Sequence, residues 1–308
     1  MSLAPEEFRA HLELSATTAG MPLADLTLPA AHHVLLGRMR FHYLDWGTDG
    51  RPPVVFLHGG GLNAHTWDLV CASLRSERHC LALDQRGHGD SEWSPEMDYA
   101  TESHVGDLDA FIRALGLERV VLVGMSLGGV NALAWAGTHS RRLAGLVLVD
   151  IGPEVRTDGV RKIAAFTSEA TPLDSVEQFV DRALTFNPRR NRELLRRSLL
   201  HNLRRMPDGR WMWKYDQRHR GRTPDPDAYA RRRALLWSAV DAVECPTLVV
   251  RGAQSDVFHD DDAERLARRL RHGRWVRVEG AGHTVQGDNP AGLLVALRAF
   301  LDEVATGR

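Results

Sequence analysis

Val120-Val121-Leu122-Val123-Gly124-Met125-Ser126-Leu127-Gly128-Gly129-Val130-Asn131-Ala132-Leu133-Ala134 is the stretch on which the reading of this chain turns. An apolar run of strand character enters a serine flanked by glycines, and a helical stretch follows at once. That order describes a nucleophile elbow, a turn tight enough to lift a serine hydroxyl above a sheet. Its neighbours must be small, because larger side chains would collide with the strand or the helix. Gly-x-Ser-x-Gly also arises by chance in chains of this length, so its weight comes from what stands on either side.

Upstream, Pro53-Val54-Val55-Phe56-Leu57 reads as a buried strand running into His58-Gly59-Gly60-Gly61. Acyl transfer places negative charge on an oxygen in its transition state, and fixed N–H donors must already point at that oxygen. The amide of Leu127, next after the serine, is one expected donor. Gly60 is the expected second, with Gly61 as its alternative. Glycine lets the backbone come close and take positive φ. No Lys-Ser/Thr pair follows the glycines, which excludes a P-loop. His58 reads as a structural hydrogen-bonding residue of the loop.

Downstream, the apolar strand Thr247-Leu248-Val249-Val250-Arg251 enters a loop carrying Ser255-Asp256. Ala263, Leu266, Ala267 and Leu270 then trace a helix. The short strand Trp275-Val276-Arg277-Val278 ends in Glu279-Gly280-Ala281-Gly282-His283. A histidine on a glycine-rich loop past a terminal strand can reach across to the serine as general base. The order Ser126, Asp256, His283 is the expected triad. Two other acids compete. Asp150 ends the strand Leu146-Val147-Leu148-Val149. Asp84 opens Asp84-Gln85-Arg86-Gly87-His88-Gly89-Asp90-Ser91, which reads as a structural turn.

With these motifs assembled, the chain resembles the α/β-hydrolase superfamily over about residues 32 to 304, as a serine-nucleophile member of esterase or lactonase character. The resemblance rests on the glycine run, the Asp84 turn, the elbow, Ser255-Asp256 and Gly280-Ala281-Gly282-His283. It implies an α/β fold, a mostly parallel sheet flanked by helices, with a helical lid inserted between two late strands. Some members carry the triad acid at the place of Asp150. Known activities include esterases, lactonases, carbon–carbon bond hydrolases, perhydrolases, epoxide hydrolases and haloalkane dehalogenases. The last two use an aspartate at the elbow, so Ser126 favours acyl chemistry. Carbon–carbon hydrolases of the meta-cleavage type usually continue the glycine run with Pro-Gly, whereas this chain continues with Leu62-Asn63. The expected reaction is cleavage of a small carboxylic ester or lactone through an acyl-enzyme. Carbon–carbon cleavage of a diketone-like substrate and a ligand receptor on the same fold are the alternatives. No metal or organic cofactor is expected.

The 308 residues are ample for a sizeable core, and a formal charge of −1 gives no global pull toward nucleic acid or membrane. Cys71, Cys80 and Cys245 show no pairing pattern and read as reduced core residues of a cytoplasmic protein. None of the histidines, His32, His33, His42, His201 and His219 among them, has metal-ligand spacing. Residues 1–31 read as an added helical arm, 32–151 with 245–308 as the hydrolase core, and 152–244 as the helical lid without buried strands. The lid carries about 19 Lys and Arg against about 13 Asp and Glu. Within it Arg189, Arg190, Arg196, Arg197, Arg204 and Arg205 are candidates to steer an anionic substrate. Phe166, Phe186, Trp211, Trp213 and Tyr215 are candidates to line an apolar pocket. Gly61, Trp67 and Met125 are pocket candidates because they adjoin the oxyanion elements. The expected partner is a small molecule, anionic or aromatic; no nucleic acid or membrane partner is expected, and homodimerisation stays open.

Overall fold

In the computed structural model, residues 4–48, 50–168, 171–188, 190–218 and 227–306 are described. The main sheet contains β1 (Ala30–Leu36), β2 (Met39–Asp45), β3 (Pro53–Leu57), β4 (His79–Leu83), β5 (Val120–Met125), β6 (Leu143–Val149), β9 (Thr247–Gly252) and β10 (Gly273–Val278). Their spatial order is β1-β2-β4-β3-β5-β6-β9-β10. β2 pairs antiparallel with β1 and β4, and every other pairing is parallel. The central strands are apolar on both faces because helices cover both sides. One face packs under α3 (Thr101–Ala114), α4 (Leu127–His139), α8 (Ala228–Ala242) and α9 (Asp260–Arg269). The other packs under α2 (Asp68–Leu74), the short α10 (Val285–Asp288) and α11 (Pro290–Thr306). β3, β5, β6, β9 and β10 run parallel, so the loops leaving their C-terminal ends gather along one edge. Ser126, Asp150, Asp256, His283 and the glycine run all lie on those loops.

The N-terminal arm is the helix α1 (Pro5–Thr18). It buries Phe8, Leu12 and Ala16 in the main core and touches both α2 and α7 (Arg192–Asn202). Of the stretch 152–244, α8 joins the main body: Leu236, Ala239 and Val240 pack on α4. Of the described remainder, α6 (Val176–Phe186) and α7 form a small unit, while α5 (Thr157–Ser168) lies against the loop after β9, where a Cβ at Gly159 would come within 2.3 Å of the Asp256 carbonyl oxygen. The expectation of an insertion without strands is corrected by a two-stranded hairpin, β7 (Leu203–Arg205) with β8 (Trp211–Trp213). These strands escape a sequence reading because each is three residues long, too short for alternation to register. Phe179, Leu195, Leu199, Leu203, Trp213 and Tyr215 give the unit a core of its own.

The interior carries several histidines held neutral. Burial pushes His104 down to about 3, and burial also lowers His58 and His201 from the usual imidazole value. In the unfolded chain each titrates near 6.5, so below that pH the unfolded state binds more protons and folding stability falls with it. The urea midpoint should therefore drop as pH is lowered from 7 to 5. The slope is at most about 1.4 kcal/mol per pH unit for each such histidine. His104→Leu should flatten that dependence. A pH-independent midpoint across this interval would refute it.

Candidate active site

Ser126 sits between β5 and α4 with φ 51° and ψ −115°. This strained conformation persists only where the surroundings over-determine it. Here they do. A Cβ at Gly124 would lie 2.4 Å from the Gly128 carbonyl oxygen, and one at Gly128 would lie 2.3 Å from the Leu57 carbonyl oxygen. Helix α4 can approach β5 and the end of β3 this closely only because both positions are glycine. Leu127 opens α4, so its N–H has no partner within the helix. Among the described residues the N–H groups of Gly60, Gly61 and Leu127 donate to no backbone carbonyl. They remain available to a ligand oxygen.

His283 follows β10 and is mostly buried. Its Nδ1 donates to Asp150 Oδ2 at 2.8 Å. Asp150 is fully buried and also accepts from the Gly252 N–H at 2.9 Å and from the Ser255 hydroxyl. Three donors converging on one buried carboxylate hold it immobile. With Nδ1–H committed to Asp150, the lone pair of the imidazole resides on Nε2. The expected pairing of His283 with Asp256 is not formed. The loop after β9 turns the Ser255 hydroxyl inward onto Asp150 and sends the Asp256 carboxylate outward. Asp256 is half-exposed and meets Lys162 Nζ of α5 at 2.9 Å. Burial alone would raise the Asp256 carboxyl, but its hydrogen bond and charge interaction with Lys162 outweigh this and hold it below its ordinary value.

The Asp84 turn is structural, as its sequence suggests. Asp84 accepts from His42 Nδ1 at 2.8 Å, from the Ala64 N–H at 2.6 Å and from the Asp90 N–H at 2.8 Å. Burial would raise its carboxyl, yet the His42 hydrogen bond and charge hold it well below the carboxylate range.

The pocket candidates separate. Gly61 has φ 77° and lies under the Tyr215 ring, where a Cβ would come within 3.4 Å of it. Met125 is buried at the end of β5 against Gly59. Trp67 is corrected: it is fully buried and packs on Phe56 in the main core, out of reach of a ligand. Trp213 likewise serves the insertion's own core, edge-on to Phe179. Trp211 is half-buried and bridges to Leu173. The Phe166 side chain, Arg189 and His219 lie outside the described residues.

Most of the arginines read as anion-steering candidates make internal contacts. Arg196 pairs with Glu177, Arg204 lies over Trp93, and Arg205 donates to the Gly209 carbonyl. Arg190 pairs with Asp288, whose other oxygen accepts from the N–H of Gly282, the residue before His283. Arg197 of α7 donates to the buried Asp68. Around that pair His65 and His201 stack at 3.8 Å, Phe8 of α1 meets both edge-on, and Asn63 Nδ2 donates to the His201 carbonyl at 2.8 Å. His65, Asp68 and His201 thus come within 4.8 Å of one another, a ligand-like grouping in which the guanidinium already occupies the carboxylate. These contacts, with Asp216 N–H on the Gly87 carbonyl and Lys214 on Asp90, seat the insertion over the loop edge.

A sequence profile described as alpha/beta hydrolase fold matches residues 52–290. Esterase Rv0045c of Mycobacterium tuberculosis is 36% identical over 286 residues, covering 89% of this chain and 90% of the relative. The 3-hydroxybutyrate-oligomer hydrolase of Cupriavidus necator is 29% identical over 276 residues, 86% of this chain and 93% of that protein. A solved structure of the Mycobacterium tuberculosis esterase superposes with a TM-score of 0.78 at 35% identity, covering 98% of this chain and all of that one.

Proposed function

The chain belongs to the alpha/beta hydrolase fold family, and from that premise we propose that it hydrolyses a small carboxylic ester or lactone through an acyl-enzyme on Ser126. Its relatives named as an esterase and an oligomer hydrolase support an ester bond as the target. One observation carries the mechanism. A buried carboxylate orients His283 through Nδ1 on the same sheet edge that presents Ser126 from a strained elbow.

His283 Nε2 takes the Ser126 proton as the hydroxyl oxygen attacks the carbonyl carbon. The N–H groups of Leu127 and Gly60 receive the charge that develops on the carbonyl oxygen. The imidazolium, stabilised by Asp150, then protonates the departing alkoxide. Water activated by the same nitrogen releases the acid and restores the serine. The insertion over this edge acts as a lid, with the Tyr215 ring lying against Gly61 of the glycine loop.

Short-chain p-nitrophenyl esters, lactones and a diketone, assayed side by side with product analysis, test this reading. An acid and an alcohol should be released over many turnovers. Turnover confined to the diketone, or tight ligand binding without turnover, would overturn it.

A further inference from the structure

Deepening the proposed acyl transfer and resting on it, we infer that Gln85 and Asn131 are positioning residues that hold the two halves of the oxyanion hole in register. The proposed donors lie on different elements: the Leu127 N–H on α4 and the Gly60 N–H on the loop after β3. One atom ties these elements together, the carbonyl oxygen of His58. It accepts from the Gly128 N–H at 3.1 Å, one residue beyond Leu127. It also accepts from Gln85 Nε2 at 2.6 Å.

Gln85 grips His58 a second time, its backbone N–H donating to His58 Nε2 at 2.9 Å. His58 Nδ1–H in turn donates to the Gly59 carbonyl at 2.9 Å, fixing the peptide that leads into Gly60. The far end of Gln85 is pinned as well. Its Oε1 accepts from Asn131 Nδ2 at 2.7 Å, and Asn131 lies on α4. The chain of contacts thus leaves α4 at Asn131, passes through Gln85 to His58, and returns to α4 at Gly128. His58, Gln85 and Asn131 are all buried, so water cannot substitute for a lost member.

A hydrogen-bonded ring of this kind matters for chemistry because oxyanion donors act through placement. A donor that must move to meet the developing charge forfeits most of its effect. Releasing Gln85 Nε2 would let the His58–Gly61 backbone relax away from α4 while substrate binding, set by the insertion, persists.

Gln85→Met keeps length and volume but cannot hydrogen-bond. It should lower kcat by about ten- to a hundredfold, the cost of a sub-ångström to 1 Å misplacement of a catalytic group. KM should stay within about twofold, since the lost interaction belongs to the transition state. The rate of Ser126 labelling by a fluorophosphonate, which needs the same hole, should fall in parallel. Titration of labelled sites corrects for any unfolded fraction. Asn131→Leu, which removes only the far anchor, should act in the same direction with a smaller effect, and it carries the test if Gln85→Met does not fold. The double variant should be little worse than Gln85→Met, because both act through one connection. Unchanged kcat and labelling per folded site in both single variants, or a rise in KM alone, would overturn the inference. Wild-type protein that neither takes the label nor turns over an ester would instead overturn the proposed function.

Discussion

Ser126→Ala is expected to lower kcat by about 10⁶-fold while leaving the fold and KM nearly unchanged, the loss seen when a serine nucleophile is removed from a comparable triad. The methyl group fits where the hydroxyl sat, and the positive φ is borne equally by either residue, so stability should not confuse the result. Residual catalysis over water, about 10³–10⁴-fold, would reflect donors that still polarise a bound carbonyl. Covalent labelling by a fluorophosphonate should vanish. Turnover within tenfold of wild type would mean that another group attacks the substrate, and the acyl-enzyme proposal would fall.

The second large effect distinguishes two carboxylates. Asp150→Asn should lower kcat by about 10⁴-fold, because an amide nitrogen facing His283 Nδ1 forces the proton onto Nε2, where a base is needed. The amide oxygen can still accept from the Gly252 N–H, and the Ser255 hydroxyl, which faces the same position as His283, can turn to accept from the new NH2, so the loop should hold its shape. Asp256→Asn removes only a solvent-exposed contact with Lys162 and should leave kcat close to wild type, since exposed ion pairs are weak and screened. Steady-state kinetics of both variants with one ester settles the matter. A severe loss in Asp256→Asn with a mild one in Asp150→Asn would reverse the assignment.

These two acids also mark where sequence reading reaches its limit. Each follows a parallel strand and its buried apolar run, and each precedes the histidine in the chain. Nothing local distinguishes them except that Asp150 directly abuts a wholly apolar strand, whereas Asp256 sits among polar residues. The distinction lies in a loop that rotates Ser255 inward and Asp256 outward, a matter of backbone path. Trp67 illustrates a second limit. It is close in sequence to the glycine loop, but a short helical turn from Ala64 to Trp67 swings its ring into the core. The insertion's arginines illustrate a third, because charge count reveals an excess but not that Asp68, Glu177 and Asp288 already hold Arg197, Arg196 and Arg190.

By itself the sequence determined the alternation of strands and helices, the elbow that presents Ser126, the glycine loop and the placing of His283 beyond the last strand. All of these follow from short-range sterics and periodicity, which neighbouring residues impose on one another. Only the tertiary structure decided which carboxylate faces the imidazole, which tryptophans are out of reach, and how Gln85 joins two distant segments behind the glycine loop. Those outcomes depend on where separate loops meet in space: Asp150 and His283 stand 133 residues apart, and Gln85 stands 27 from His58 and 46 from Asn131, encounters that no local pattern encodes.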